Sequence, residues 1–189
     1  MDDCFYFPGR LPYAHMNELV ETHPGIWILV SGPRTVRTTM QLFIARLAER
    51  GPVRVLDGGN QFNAYLIARQ LHGRPNLLDR ISISRMFTCY QVLASLEKAP
   101  ELPMPLIMLD FLRTFYDESI PFHERRRLVS RCIPHLQRLS FPAGGAISIH
   151  PPAVMSSEAA TLFAILSDAA PEIWTQVIPA PIQQPWRLF

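Results

Sequence analysis

Nine residues, SGPRTVRTT from Ser31 to Thr39, have the position and length of a phosphate-binding loop between a strand and a helix. In the pattern GxxxxGK[ST], glycine amides cradle phosphates, the lysine neutralises their charge and the hydroxyl ligates magnesium. Here Gly32 supplies the first glycine and Thr39 the hydroxyl, but Arg37 stands at the second glycine and Thr38 at the lysine. A residue with a Cβ resists the positive φ that glycine accepts, and threonine brings no charge to a transferred phosphoryl group. Turnover of ATP by the usual route is not expected. Two readings of the segment stay open: a turn that only shapes the fold, or a helix N-terminus at which Arg34 or Arg37 grips an anion.

Two acids end apolar runs, Asp57 after VRVL and Asp110 after LIML. Each is placed either to hold magnesium or, as such residues commonly do, to cap the next turn. His150 precedes Pro151 and Pro152, and no Ser/His/Asp or Cys/His arrangement is visible by spacing. The run ERRRLVSR puts Arg125, Arg126, Arg127 and Arg131 near the start of one helix. Arg127 and Arg131, four apart, share a face and form a candidate DNA-binding stripe, against the plain alternative of a solvated helix surface. Before them, RTFYDESIPF carries Phe115, Tyr116 and Phe122 among acids, which favours a protomer interface over base stacking.

The elements that position these residues alternate. The apolar run 26–31 predicts a buried strand, 35–50 a helix stopped by Gly51-Pro52, VRVLD a second strand and 61–73 a second helix. ISIS within 77–87 predicts a third strand, followed by a helix up to Pro100; LIMLD is the next strand. HERRRLVSRCIPHLQRLS reads as a helix that Pro134 kinks or restarts. GGAISIH, SSEAATLFAILSDAA with Ser156 or Ser157 as N-cap, and EIWTQVIP complete the series. Strands joined by helices pair in parallel through crossovers, so the fold class is α/β, a three-layer sandwich around a mostly parallel sheet. Residues 25–178 form the core of a single domain, with arms at 1–24 and 179–189; their aromatics (FYFPGRLPY, Trp186 to Phe189) are candidate partner anchors.

The chain has 189 residues, 48% of them hydrophobic and 18% charged, enough for one sizeable core and far from the composition of disorder. A net charge of +2 does not by itself argue for nucleic acid. Lys98 is the only lysine among 18 basic residues, so a lysine-dependent mechanism would have to use it. Cys4, Cys89 and Cys132 are too widely spaced for a zinc site. MDDCFYFPGR lacks the basic start of a secretory signal and no apolar run reaches about 18 residues, so the expected location is cytoplasmic and no membrane partner is expected.

From Pro24 to Arg69 the sequence resembles the first half of the RecA, KaiC and archaeal or eukaryotic recombinase superfamily. A Pro-Gly turn leads into strand, loop and helix, and the second strand ends in an Asp followed by an aromatic, here Asp57 and Phe62. Gly59 falls where the family has its catalytic glutamate. Arg85, Phe87 and Gln91 match a later segment, Asp110 the magnesium-side aspartate, and Ser148 and His150 the strand end that senses the γ-phosphate. The resemblance covers roughly 24–180 and implies a RecA-like P-loop-type sheet without ATPase chemistry. It points to an accessory or regulatory protein acting through a protein partner, self-association or DNA, in recombination or repair. The degenerate site would comprise Gly32, Arg34, Arg37, Thr38, Thr39 and Asp110, with no resident cofactor or metal. The alternatives are an atypical NTPase that borrows a basic residue from a neighbouring subunit, or a module that senses ATP and magnesium without turnover.

Overall fold

Apolar residues within the strands alternate between two faces, and both faces are covered. A computed structural model describes residues 5–7, 27–32 and 35–176. Seven strands form one sheet: β1 (Phe5–Phe7), β2 (Trp27–Ser31), β3 (Val53–Asp57), β4 (Ile81–Arg85), β5 (Leu106–Leu109), β6 (Gly145–Ile149) and β7 (Glu172–Gln176). Their order is β1-β7-β2-β6-β5-β3-β4, and every pairing is parallel. Parallel neighbours demand long connections, which five helices provide: α1 (Thr35–Arg50), α2 (Ala64–Gln70), α3 (Cys89–Lys98), α4 (Phe122–Ser140) and α5 (Ser157–Ala169).

Val53 and Val55 of β3, Ile107 and Leu109 of β5, and Ala146 of β6 face α1 and α2, where Met40, Phe43, Ile44 and Ile67 fill the space. The intervening Leu56, Met108, Ile147 and Ile149 face Val92, Leu128, Cys132 and Leu162 of α3, α4 and α5. The period of two along each strand thus builds a three-layer α/β sandwich with a core on each side of the sheet. No described helix is long and apolar enough to cross a membrane.

Three expectations change, and a fourth falls on residues outside those described. The segment at the N-terminus read as an arm contributes β1, which pairs with β7 and extends the sheet at that edge. The expected C-terminal arm lies outside the described residues. Pro134 does not restart α4, which runs unbroken from Phe122 to Ser140; the proline is on the exposed side of the helix. The aromatic loop after β5 is a 3₁₀ helix, Phe111–Tyr116, whose Phe111 and Phe115 are fully buried with ring centroids 5.1 Å apart. Both rings are fully buried and in contact, so Phe115 is core and not an interface or stacking residue.

Arg125 is also part of this core edge. Its side chain is only 5% exposed, donates to the Phe115 carbonyl at 3.3 Å, pairs with Glu158 at the start of α5 and lies 5.7 Å from the Phe122 ring. One guanidinium thereby ties α4 to the 3₁₀ helix and to α5, a use for which its fork of donors suits arginine better than lysine. Ser156 is the N-cap of α5, accepting from the Ala159 N–H at 3.1 Å.

Candidate functional site

The carboxyl ends of β2, β6, β5 and β3 lie side by side, so the polar residues that close these strands meet in one place. Asp57, buried at the end of β3, accepts the Gln61 N–H at 2.8 Å and the Phe62 N–H at 2.9 Å through its two carboxylate oxygens. The Arg85 Nε stands 4.0 Å away. Both oxygens are committed to folding residues 58–62 into a compact turn, and the Asn63 side chain then caps α2 by accepting the Leu66 N–H at 3.1 Å.

The turn is held from the other side by α1. Gln41, which is buried, donates to the Gln61 carbonyl at 3.1 Å and accepts the Asn63 N–H at 3.0 Å. Arg37 donates through Nε to the same Gln61 carbonyl at 3.2 Å. Arg37 and Gln41 are four apart and therefore occupy one face of the helix. Arg37, expected as a grip for an anion, here ties the first turn of α1 to the loop after β3. Gln41 was not singled out from sequence. The signal was present: a glutamine in the middle of an apolar helix face, where burial requires both ends of its amide to find partners.

Asp110 follows β5 in the left-handed region, with φ 51° and ψ 55°. Its N–H donates to Ser148 Oγ at 3.0 Å, and its Oδ1 accepts the His150 N–H at 3.1 Å. The ring Nδ1 of His150 is 3.9 Å from that oxygen and has no hydrogen-bond partner among the described residues. Burial pushes the Asp110 carboxyl above the ordinary aspartate range, the His150 N–H pulls it partly back, and neighbouring Asp57 adds to the rise. Burial, and then the charge of Asp110, raise the Tyr116 phenol as well.

Gly59 passes directly over this carboxylate. A Cβ built on Gly59 would lie 2.5 Å from both Cβ and Oδ2 of Asp110, and one on Gly58 would lie 3.2 Å from the Asp110 carbonyl oxygen. Gly58 also donates its N–H to the Leu109 carbonyl at 2.9 Å, which fixes the close approach. The side chain of Asp110 thus fills the space that a residue at position 59 would need.

No family model matches this chain, and no curated protein matches it.

The structure therefore brings Asp57, Gly59, Asp110, Ser148 and His150 together, with Gly32 at the rim, where its N–H reaches the Ile149 carbonyl at 3.4 Å. Thr38 is exposed and Thr39 half-buried on the first turn of α1, while Arg34 lies outside the described residues. Farther along the edge, the Gln91 side chain accepts the Phe87 N–H at 2.8 Å and leaves the Phe87 ring 72% exposed. Arg127 and Arg131 are elsewhere, on the outer face of α4: Arg127 makes a two-pronged bond to Glu124, at 2.8 and 2.7 Å, and Arg131 pairs with Glu97 at 2.7 Å.

Chemically, this pocket is an interlocked set of caps. Its carboxylates accept main-chain N–H groups, and Arg37, the described arginine of the phosphate-loop segment, donates to a carbonyl. Such a constellation orders loops.

Proposed function

We propose that this protein is a RecA-like accessory or regulatory protein that does not hydrolyse nucleotide and works through contact with a protein partner or DNA, in recombination or repair. The resemblance supplies the setting. The observation that carries the loss of turnover is the contact between Gly59 and Asp110. The position expected to bear a catalytic glutamate has no room for any side chain while Asp110 holds its present place.

Two further features support the same reading. Asp110 is buried, burial raises its carboxyl above the ordinary aspartate range, and its Oδ1 is already taken by the His150 N–H, which makes it a poor partner for a divalent cation. Thr38, at the position of the missing lysine, brings no charge to offset that of a triphosphate. Without an ammonium and a water-orienting carboxylate, the electrostatic part of phosphoryl transfer is missing.

The test is a phosphate-release assay with ATP and magnesium, run beside titration calorimetry with the same ligands. No turnover is expected. Sustained release that disappears in Asp110→Ala would overturn the proposal, and heat of binding without release would instead establish the nucleotide-sensing alternative.

A further inference from the structure

The outer face of α4 differs in character from the interlocked pocket. Along it runs an open concavity of about 710 Å³ whose described lining includes Arg126, Arg127, Arg131, His123 and His135. The Arg127 and Arg131 side chains are 56% and 49% exposed, and the Arg126 guanidinium pairs with no carboxylate among the described residues. From His123 to His135 the helix advances about 18 Å, at 1.5 Å per residue. A nucleic-acid strand spaces its phosphates by about 3.4 Å along the axis of a duplex, so the stripe spans roughly five of them. Guanidinium groups match phosphate oxygens in two-pronged geometry. A protein interface would need a large apolar centre; the apolar side chains lining this concavity are half-buried Phe122 and exposed Pro134, set among the arginines and histidines, while exposed Tyr65, Phe87 and Val154 do not line it.

We propose that this face of α4 binds the phosphodiester backbone of nucleic acid, with Arg126 as first contact and Arg127 and Arg131 joining by exchanging Glu124 and Glu97 for phosphates. The proposal rests on the reading that the protein acts by contact, and it names the surface and the partner. The exchange is cheap because solvent-exposed ion pairs contribute little. It also assigns the two glutamates a role: they hold the arginines in place and weaken binding by like-charge repulsion of the phosphates.

The experiment is fluorescence anisotropy with labelled oligothymidylate and duplex DNA of about 30 nucleotides, at about 50 and 200 mM salt. The full-length protein should bind at the lower salt and lose affinity steeply at the higher. Arg126→Ala should weaken binding about tenfold and reduce the salt slope by about one contact, whereas Arg126→Lys should keep most of the affinity. The double variant Glu97→Gln, Glu124→Gln should bind about three- to tenfold more tightly, a gain that loss of folding cannot mimic. Tighter binding to the single strand or to the duplex identifies which form the stripe takes, and either supports the proposal. Absence of binding at low salt, equal affinity in Arg126→Glu, Arg131→Glu, or preference for polyglutamate over both DNAs would overturn it. Phosphate release by the same preparation bears only on the non-hydrolysing reading, so the two failures are distinguishable.

Discussion

The carboxyl edge of the sheet and the outer face of α4 both carry charged residues in quantity, and they use them in opposite ways. At the sheet edge, carboxylates and amides turn inward onto N–H groups: Asp57 onto Gln61 and Phe62, Gln41 onto Asn63, Asp110 onto His150. On the outer face of α4, the Arg127 and Arg131 guanidiniums turn outward and pair with half-buried Glu124 and exposed Glu97. A buried polar group left without a partner costs far more than an exposed one, so the first region is locked by its own bonds and the second is free to exchange them. Polar residues gathered where ligands usually bind are therefore insufficient evidence of a site; their oxygens must also be available.

The sharpest way to break this contrast is at Gly59. Gly59→Ala should cost about 2 to 4 kcal/mol of stability, since the added Cβ collides with Asp110 and a buried turn must shift. Urea unfolding measures it. Adding Asp110→Ala to Gly59→Ala should recover part of the loss, and strict additivity of the two would show that the carboxylate does not fill that space.

A smaller effect is expected from Gln41→Leu, which keeps the volume and strands the Asn63 N–H. About 1 to 3 kcal/mol should be lost, again by urea melts, and a neutral outcome would mean that the turn at 58–63 does not depend on α1.

The smallest change is expected from Asp110→Asn. The amide oxygen can still accept the His150 N–H, and no buried charge remains. Because the folded-state pKa of Asp110 is raised, the native protein binds its proton more tightly than the unfolded chain, so ionisation at higher pH works against folding. Asp110→Asn should accordingly match or exceed the parent in stability near neutral pH. The gap should close as pH falls through the raised Asp110 pKa toward the ordinary aspartate value of 3.8. Parallel melts across that range check the sign, and a variant weaker than the parent at neutral pH would show that the charge is used.

Much of the architecture was readable because the central strands are short, largely apolar runs and the strands are closed by turn residues. LIML and GAISI, buried throughout, are examples, and the helices between them carry helical periodicity. β1 was not readable, since three residues, FYF, have too short a pattern to separate from an arm, and their pairing depends on a strand far along the chain. Phe111 and Phe115 were hidden by the acids that follow them, and in a 3₁₀ helix their four-residue spacing gives no same-face signal. Arg125 was hidden in a run of four charges, yet it lies on the stripe that Leu128, Val129, Cys132, Leu136 and Leu139 send into the core. At the candidate site, the missing lysine and glutamate were plain in the sequence. That Asp110 occupies the vacated space was not, because it depends on two loops approaching within contact distance from strands that are distant in sequence.

The pairing of β1 with β7 bears on how the molecule is made. Phe5 is matched with Trp174, so on the ribosome this border of the sheet cannot form until the chain has emerged beyond Trp174. Of the described strands β7 is the last to be made, and its two parallel ladders, to β2 and to β1, complete together. Residues 5–7, the first described strand to be translated, gain their partner only when the last described strand arrives.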